Sequence, residues 1–383
     1  AIHTAQPGLN PRSPAQMRDL LFDQWGLPPH EYTMSGEPSV NAAAVRSFLV
    51  NPLLDESQKA LLKAIKFYRR ADKLLGTYLY KLAPGAGVVT PEGYVHPDYH
   101  SHGTVTGRLS SSNPNFQNIP YFLRDIFVPP PGCVYVGADY DQLELRFAAA
   151  LAGTQSYLDA FEKKEIDPHN LTADLMFGDK FWRAQGAPDT KMGKGKGQFK
   201  KLRNLAKTIC FASLYGAAPP KVLEIIHRAE DDNGNMLYAE LDLRQVRTLH
   251  RTWLERAPEF KAWWRQTTAE LRRLGYLAEP VMQRRRYFVD MDYNAALNYR
   301  VQAGGFAVVA KAMIDLVHNH LPFDFGQRTG LVNQLHDAVL FAVPESRADY
   351  ASQVVTETLT TRVEGLPVTF TAEAEVGETW MDT

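Results

Sequence analysis

An α+β fold is expected for this chain, and three observations predict it. The N-terminal region repeats apolar residues at helical intervals, residues 133–139 (CVYVGAD) read as a short buried strand, and residues 331–344 (LVNQLHDAVLFAVP) read as two apolar strand-like halves hinged at His336 and Asp337. The last pattern is that of an antiparallel hairpin with an acidic tip.

Taken in order, residues 14–25 (PAQMRDLLFDQW) and 41–50 have helical spacing. Residues 56–78 form a long Lys- and Arg-rich amphipathic helix, with Leu61, Leu62, Ile65, Tyr68 and Leu75 facing inward. A Pro-containing connection, 26–38, separates the first two helices, and the Gly/Pro loop 83–93 (APGAGVVTPEG) ends the helical region and marks a first boundary. Residues 94–105 are extended and lead into the polar, turn-rich stretch 106–120 (TGRLSSSNPNFQNIP). Its Arg, Ser, Asn and Gln donors suit phosphate and sugar contacts as well as they suit a plain surface loop. Residues 142–151 (QLELRFAAAL) follow the strand 133–139 as a helix, so Asp139 stands at a strand's C-terminal end, a place for chemistry or for a helix cap.

Residues 154–192 are a helical insert containing His169, and the stretch after it is the most unusual in the chain. Lys191, Lys194, Lys196, Lys200, Lys201, Arg203 and Lys207 occur there with no acidic residue between them. Arg203, Lys207, Phe211 and Tyr215 recur every four residues, and four steps of ~100° drift only ~40°, so the four climb one helix face. Two cations followed by two aromatics can hold a polyphosphate and stack a planar base. A solvated basic helix with its aromatics in the core is the competing reading. The order G-x-x-x-x-G-K-[ST] is absent, which excludes a P-loop. Residues 243–274 give further helices with Trp253, Trp263 and Trp264 in the core, and Arg284, Arg285 and Arg286 form a basic cluster in an extended segment. Residues 294–318 form a long helix with Asn298 and Gln302 four apart on one face, donating along a groove or simply exposed. If Asp139 and Asp337 lay on adjacent strand ends they could share divalent cations, because Mg²⁺ prefers oxygen ligands and two-metal sites hold ions about 3.5–4 Å apart. Nothing in the sequence places them together.

Composition bounds the function classes. A chain of 383 residues with 45% hydrophobic content is ordinary globular protein, long enough for two or three domains. The formal net charge of -1 does not mark a nucleic-acid binder, so the local basic stretch matters more than the sum. Cys133 and Cys210 alone exclude a disulfide framework and a zinc quartet, which fits a reducing, intracellular compartment. No apolar run approaches the ~20 residues needed to span a bilayer, and residues 1–10 lack a signal-peptide pattern. A soluble, intracellular protein without membrane partners is expected. There is no internal repeat, and the absence of an initial Met suggests a fragment.

Four separated motifs, in order, resemble those of family A DNA polymerases. Residues 106–120 resemble the family's TGRLSS…NLQNIP segment, residues 139–146 (DYDQLELR) its DYSQIELR motif A, residues 203–216 its R-x3-K-x3-F-x3-Y-G motif B, and residues 334–338 (QLHDA) its Q-x-HDE motif C. The resemblance runs from about residue 10 to residue 380. It implies a right-hand architecture: residues 1–100 as part of a helical thumb, 101–153 as the first part of an antiparallel β palm, 154–290 as largely helical fingers and 291–383 as the second part of the palm.

The resemblance also implies template-directed addition of deoxynucleoside triphosphates to the primer 3′-hydroxyl. Asp139 and Asp337, with the carbonyl of Tyr140, would hold two Mg²⁺ ions, with Mn²⁺ a possible substitute. Arg203, Lys207 and His169 would grip the incoming phosphates, and Lys207 would protonate the departing pyrophosphate. Phe211 and Tyr215 would pack on the sugar and base, Gln142 would contact the nucleotide, and Glu144 would exclude a ribose 2′-hydroxyl. Arg108, Asn298, Gln302 and His336 would contact primer–template DNA. Accessory replication proteins are not specified, and no proofreading nuclease is expected in these residues. Two positions depart from the pattern: Asp141 stands where Ser is usual and Ala338 where Glu is usual. The second removes a carboxylate, which favours weaker metal affinity and keeps open a weakened, primer–template-binding relative as the alternative. A single-subunit RNA polymerase shares parts of these motifs, but Glu144 and Phe211 speak against it.

Overall fold

The structure, a computed structural model, describes residues 2–49, 51–231 and 235–383; Val50, the last residue of the helix expected over 41–50, lies outside them. The chain forms two compact units, one of Ala1–His96 with Glu224–Leu241, the other of Pro97–Leu223 with Asp242–Thr383.

The first unit is built on α1 (Ala42–Phe48) and α2 (Glu56–Leu74). A reciprocal cap starts α2: the Asp55 N–H donates to Gln58 Oε1 at 3.0 Å and the Gln58 N–H to Asp55 Oδ1 at 2.8 Å, satisfying two donors a helix start leaves unpaired. Leu61, Leu62 and Ile65 then bury against a core that includes Met17, Leu20, Leu21, Val45 and Phe48. Each such side chain stabilises the fold by about 1.5–3 kcal/mol. Tyr68 and Leu75, expected on the inner face, are instead 40% and 39% exposed. Arg69 takes the inner position, donating from Nε and Nη1 to the carbonyls of Pro11 and Val40 at 2.7 Å each, and the helix widens into a π-turn at Leu75–Leu79. Glu230 in the same unit accepts from Arg46 Nε at 3.0 Å and from the Lys66 ammonium.

The second unit holds a four-stranded antiparallel sheet. Along the chain come β1 (Cys133–Tyr140), α3 (Leu143–Ala152), α4 (Pro168–Phe177), α5 (Gly197–Leu214), α6 (Tyr293–Asp315), β2 (Gly330–Leu335), β3 (Ala338–Pro344), α7 (Ala348–Leu359) and β4 (Ala372–Gly377). The sheet order is β4-β1-β3-β2, and α7 packs on it. Alternation along β1 sends Tyr135, Gly137 and Asp139 to one face and Val134, Val136 and Ala138 to the other. The expected hairpin is present, its turn made by His336 and Asp337, with His336 at φ 54°. Positive φ at the first of two loop residues lets the turn follow the twist of the flanking strands, and His accepts that region better than most residues with a Cβ.

Close approach of α6 to α3 depends on Gly304, where a Cβ would lie 2.1 Å from Phe147 Cζ. Among the described residues one helix, Tyr293–His320, is long and apolar enough to cross a membrane, contrary to the expectation that no apolar run approaches that length. Its apolar character matches its packing: Tyr299, Val301, Val308 and Val309 are buried core residues of this unit. Trp253 and Trp263 are buried as expected. Helix α5 ends at Leu214, capped by Tyr215, and the next residue, Gly216, takes φ 78°, where a Cβ would meet Asn294 Oδ1 at 2.5 Å.

Candidate active site

The sheet register brings the two aspartates together. Asp139, near the end of β1, pairs with Ala338 at the start of β3, and the Tyr140 N–H donates to the Asp337 carbonyl at 3.4 Å. Both line one cavity of about 620 Å³, together with Asp141, His336, Glu373 and Arg124. Asp139 opens into this cavity, yet its walls desolvate the carboxyl enough to raise its pKa; the Tyr140 N–H opposes the rise, and Asp141 adds to it. Asp337 is pushed up to about 6, first by burial; Arg108 pulls it down, while Glu144 and Asp139 push it further up.

A hydrogen-bonded chain links this pair to the helices. Arg108 donates from Nη2 to Glu144 Oε1 at 2.7 Å and to Asp337 Oδ1 at 3.1 Å, and the Tyr215 hydroxyl donates to Glu144 Oε2. Burial, then the Glu144 charge, raises the Tyr215 pKa, so the phenol remains a donor. Glu144 reaches this point because the chain leaves β1 through Gln142 at φ 51° and enters α3 at once. The Gln142 Oε1 is buried without a partner among the described residues. Arg108, Asn298, Gln302 and His336 share a second cavity of about 410 Å³ with Asn115 and Gln117. Burial and the neighbouring Arg108 lower the His336 pKa.

The remaining predicted residues cluster on α4 and α5. His169 is 3% exposed, its ring centroid 5.8 Å from that of Phe211, and Lys207 Nζ lies 5.8 Å from the same Phe211 ring. Burial, then the Lys207 and Arg203 charges, lowers the His169 pKa to about 3, and its Nδ1 is buried without a partner among the described residues. Burial and Arg203 lower the Lys207 pKa. Two cations beside a neutral imidazole, against the single carboxylate of Asp167, leave this cluster with an excess of positive charge. Arg203 is not the free cation its helix face suggested: Nη2 donates to Asp167 Oδ1 at 2.8 Å and Nε to Asn170 Oδ1 at 3.0 Å. Asp167 and Asn170 were not singled out in the sequence. The signal was present as Asp-Pro at a helix start, for Asp167 caps α4 by accepting the His169 and Asn170 N–H groups at 3.0 Å each. Tyr215 alone of the α5 face joins the aspartate group. At about 1.5 Å per residue, Arg203 sits roughly 18 Å back along the helix.

The donor set fits a hard divalent ion. Carboxylate oxygens are the ligands Mg²⁺ prefers, and burial, then the charges of Glu144 and Asp139, raise the Asp337 pKa by more than Arg108 lowers it, a penalty on the ionised form that a bound cation would relieve. Among the described residues no three His, Cys, Asp or Glu side chains converge as a closed cage. An ion held here would complete its shell with carbonyl, water or substrate oxygens, the usual habit of Mg²⁺.

Comparison with known proteins agrees with this arrangement. The profile of DNA polymerase family A matches residues 1–382. The thermostable DNA polymerase I of Thermus filiformis is 30% identical over 97% of this chain and 42% of its own length. DNA polymerase I of Chloroflexus aurantiacus is 29% identical over 97% of this chain and 37% of its own length. The chain therefore spans well under half the length of these relatives. Among solved structures, the polymerase domain of Pol1 from M. smegmatis, in complex with DNA primer-template and dNTP, superposes with a TM-score of 0.79 at 23% identity, covering 100% of this chain and 63% of that one. That likeness supports the α+β polymerase-domain fold, and the profile match over nearly every residue decides the family: this chain belongs to DNA polymerase family A.

Proposed function

We propose that this chain is a template-directed DNA polymerase domain that extends a primer 3′-hydroxyl with deoxynucleoside triphosphates. The observation that carries the reading is the adjacency of Asp139 and Asp337 at one end of the sheet, tied through Arg108 and Glu144 to Tyr215 on α5. Residues 1–100 are the proposed thumb portion, 101–153 and 291–383 the palm, and 154–290 the fingers.

Asp139 and Asp337, with the Tyr140 carbonyl, would hold two Mg²⁺ ions, or Mn²⁺ in their place. When bound, such ions ease loss of the primer hydroxyl proton and neutralise charge on the triphosphate and its leaving group. Arg203, Lys207 and His169 supply the phosphate contacts. Arg203 is held rigidly by Asp167 and Asn170, so its fork is oriented before an anion arrives. Lys207, with its lowered pKa, gives up a proton more readily than an exposed lysine and can deliver it to the departing pyrophosphate. Neutral His169 keeps one ring N–H to donate. Phe211 and Tyr215 offer faces to the sugar and base, Gln142 a free amide oxygen, and Glu144, fixed on both oxygens, blocks the space a ribose 2′-hydroxyl needs. Arg108, Asn298, Gln302 and His336 present donors to the minor-groove edge of the new pair, where every base pair shows an acceptor, so the contacts are indifferent to sequence. Swinging α5 toward the aspartates would bring the phosphate-binding end into line.

Primer extension on defined templates tests the reading. Products that copy each template with Mg²⁺ and all four deoxynucleotides, and that vanish with Asp337→Ala, are expected. Salt-sensitive DNA binding without any extension would favour the binding-only alternative.

A further inference from the structure

Asp139 has two cross-strand neighbours in register. On the β3 side stands Ala338, which presents only a methyl group; on the β4 side stands Glu373. Residues directly opposite in adjacent strands point to the same face, so Ala338, Asp139 and Glu373 form one row across three strands. Glu373 lines the same cavity as Asp139 and Asp337, and its carboxylate makes no hydrogen bond or ion pair among the described residues. Asp141, the other nearby carboxylate, is already held at Oδ2 by the Thr371 hydroxyl at 3.0 Å.

We propose that Glu373 is a positioning residue of the metal site, accepting hydrogen bonds from water bound to a divalent ion on Asp139. The inference rests on the reading of Asp139 and Asp337 as metal-binding. The spacing suits it. Adjacent strands lie about 4.8 Å apart. An Asp139 oxygen, an ion about 2.1 Å from it, a water about 2.1 Å from the ion and a hydrogen bond of about 2.7 Å to Glu373 make a chain that side chains on neighbouring strands can bridge. An inner-shell role is not required, because Mg²⁺ retains several waters and outer-shell carboxylates orient them. Glu375 on the same strand faces the same way and lines the same cavity but pairs with Gly137 instead of Asp139, about 7 Å along the strand from Glu373, and serves as an internal control. A second role for a charge on β4 is to guard the exposed sheet edge against pairing with another chain. Edge guarding does not depend on metal.

The experiment is titration of Mn²⁺ into the whole chain, followed by electron paramagnetic resonance of the free ion, with thermal unfolding to check folding. Glu373→Gln should weaken Mn²⁺ binding about tenfold, as loss of an outer-shell partner does, with an unchanged unfolding midpoint in chelator. Glu375→Gln should bind as the parent does, and adding Ala338→Glu to Glu373→Gln should recover affinity by restoring a carboxylate on the other side of Asp139. Should Glu373→Gln misfold, Glu373→Thr, a good strand former, carries the same expectation. Parent-like Mn²⁺ binding by the folded Glu373 variant overturns this inference alone. Absent Mn²⁺ binding by the parent, or binding that survives Asp139→Asn with Asp337→Asn, overturns the metal reading and this inference with it.

Discussion

Replacing Asp337 by Asn should abolish nucleotide addition and yet make the metal-free protein more stable. In the folded chain the Asp337 pKa is about 6, against an ordinary 3.8, because burial and the charges of Glu144 and Asp139 outweigh Arg108. The folded state therefore binds more protons than the unfolded state between these values. The stability this group contributes is fully present below 3.8 and is lost as pH rises through 6. At about 1.4 kcal/mol per unit, the ionised carboxylate destabilises the metal-free fold by about 3 kcal/mol at pH 8. Asn stands in for the protonated acid: it lacks the charge, and its oxygen can still accept from Arg108. Thermal unfolding in chelator should then give a higher midpoint for Asp337→Asn than for the parent at pH 8, and equal midpoints near pH 4. Adding Mg²⁺ should raise the parent's midpoint and leave the variant's nearly unmoved, since an ion that binds only the folded parent stabilises only it. A variant less stable than the parent at pH 8, or a Mg²⁺ response that survives the substitution, would refute the reasoning.

Three further outcomes follow from the same packing and charge. His169, with its pKa lowered to about 3, adds stability that is complete above its ordinary value of 6.5 and declines as pH falls, by up to about 1.4 kcal/mol per unit. His169→Gln should flatten that decline in denaturant melts between pH 7 and pH 5, and parallel curves for the two proteins would count against it. Tyr215→Phe removes a donor from the Glu144 carboxylate, a bond worth about 1.5–3 kcal/mol, and should both lower the unfolding midpoint and relax discrimination against ribonucleotides in competition assays. Unchanged discrimination would separate Glu144 from sugar selection. Gly304→Ala forces a methyl to within 2.1 Å of Phe147, so α6 must move off α3; a loss of about 1–3 kcal/mol is expected, and a neutral effect would show the contact to be slack.

Much of the site was legible because it depends on local periodicity. The four-residue recurrence of Arg203, Lys207, Phe211 and Tyr215 needs only a helix to become one face, and the two apolar halves around His336 and Asp337 need only a turn to become a hairpin. What the sequence leaves open depends on partners distant along the chain. Strand register set Asp139 beside Asp337 and Glu373, and no spacing encodes a pairing between segments separated by other elements. The face of a helix also shifts where its neighbours demand it. Arg69 displaced Tyr68 from the inner side of α2 because two loop carbonyls needed a donor, a need invisible in a pattern of apolar residues. Likewise Arg203 reads as a free cation until Asp167, more than thirty residues earlier, is folded against it.

The adjacency of Asp139 and Asp337 is the centre of the account, and single-turnover insertion of one nucleotide tests it most directly. The assay uses a defined primer–template, saturating complementary deoxynucleotide and Mg²⁺, with primer–template affinity measured in parallel. The account predicts rapid insertion by the parent, and a loss of at least about a thousandfold in rate for Asp139→Asn and for Asp337→Asn, the scale on which charge stabilisation in the transition state operates. Primer–template affinity should change little. Insertion by either variant at a rate near the parent's would contradict the account, because the chemistry would then not depend on the two carboxylates the sheet brings together.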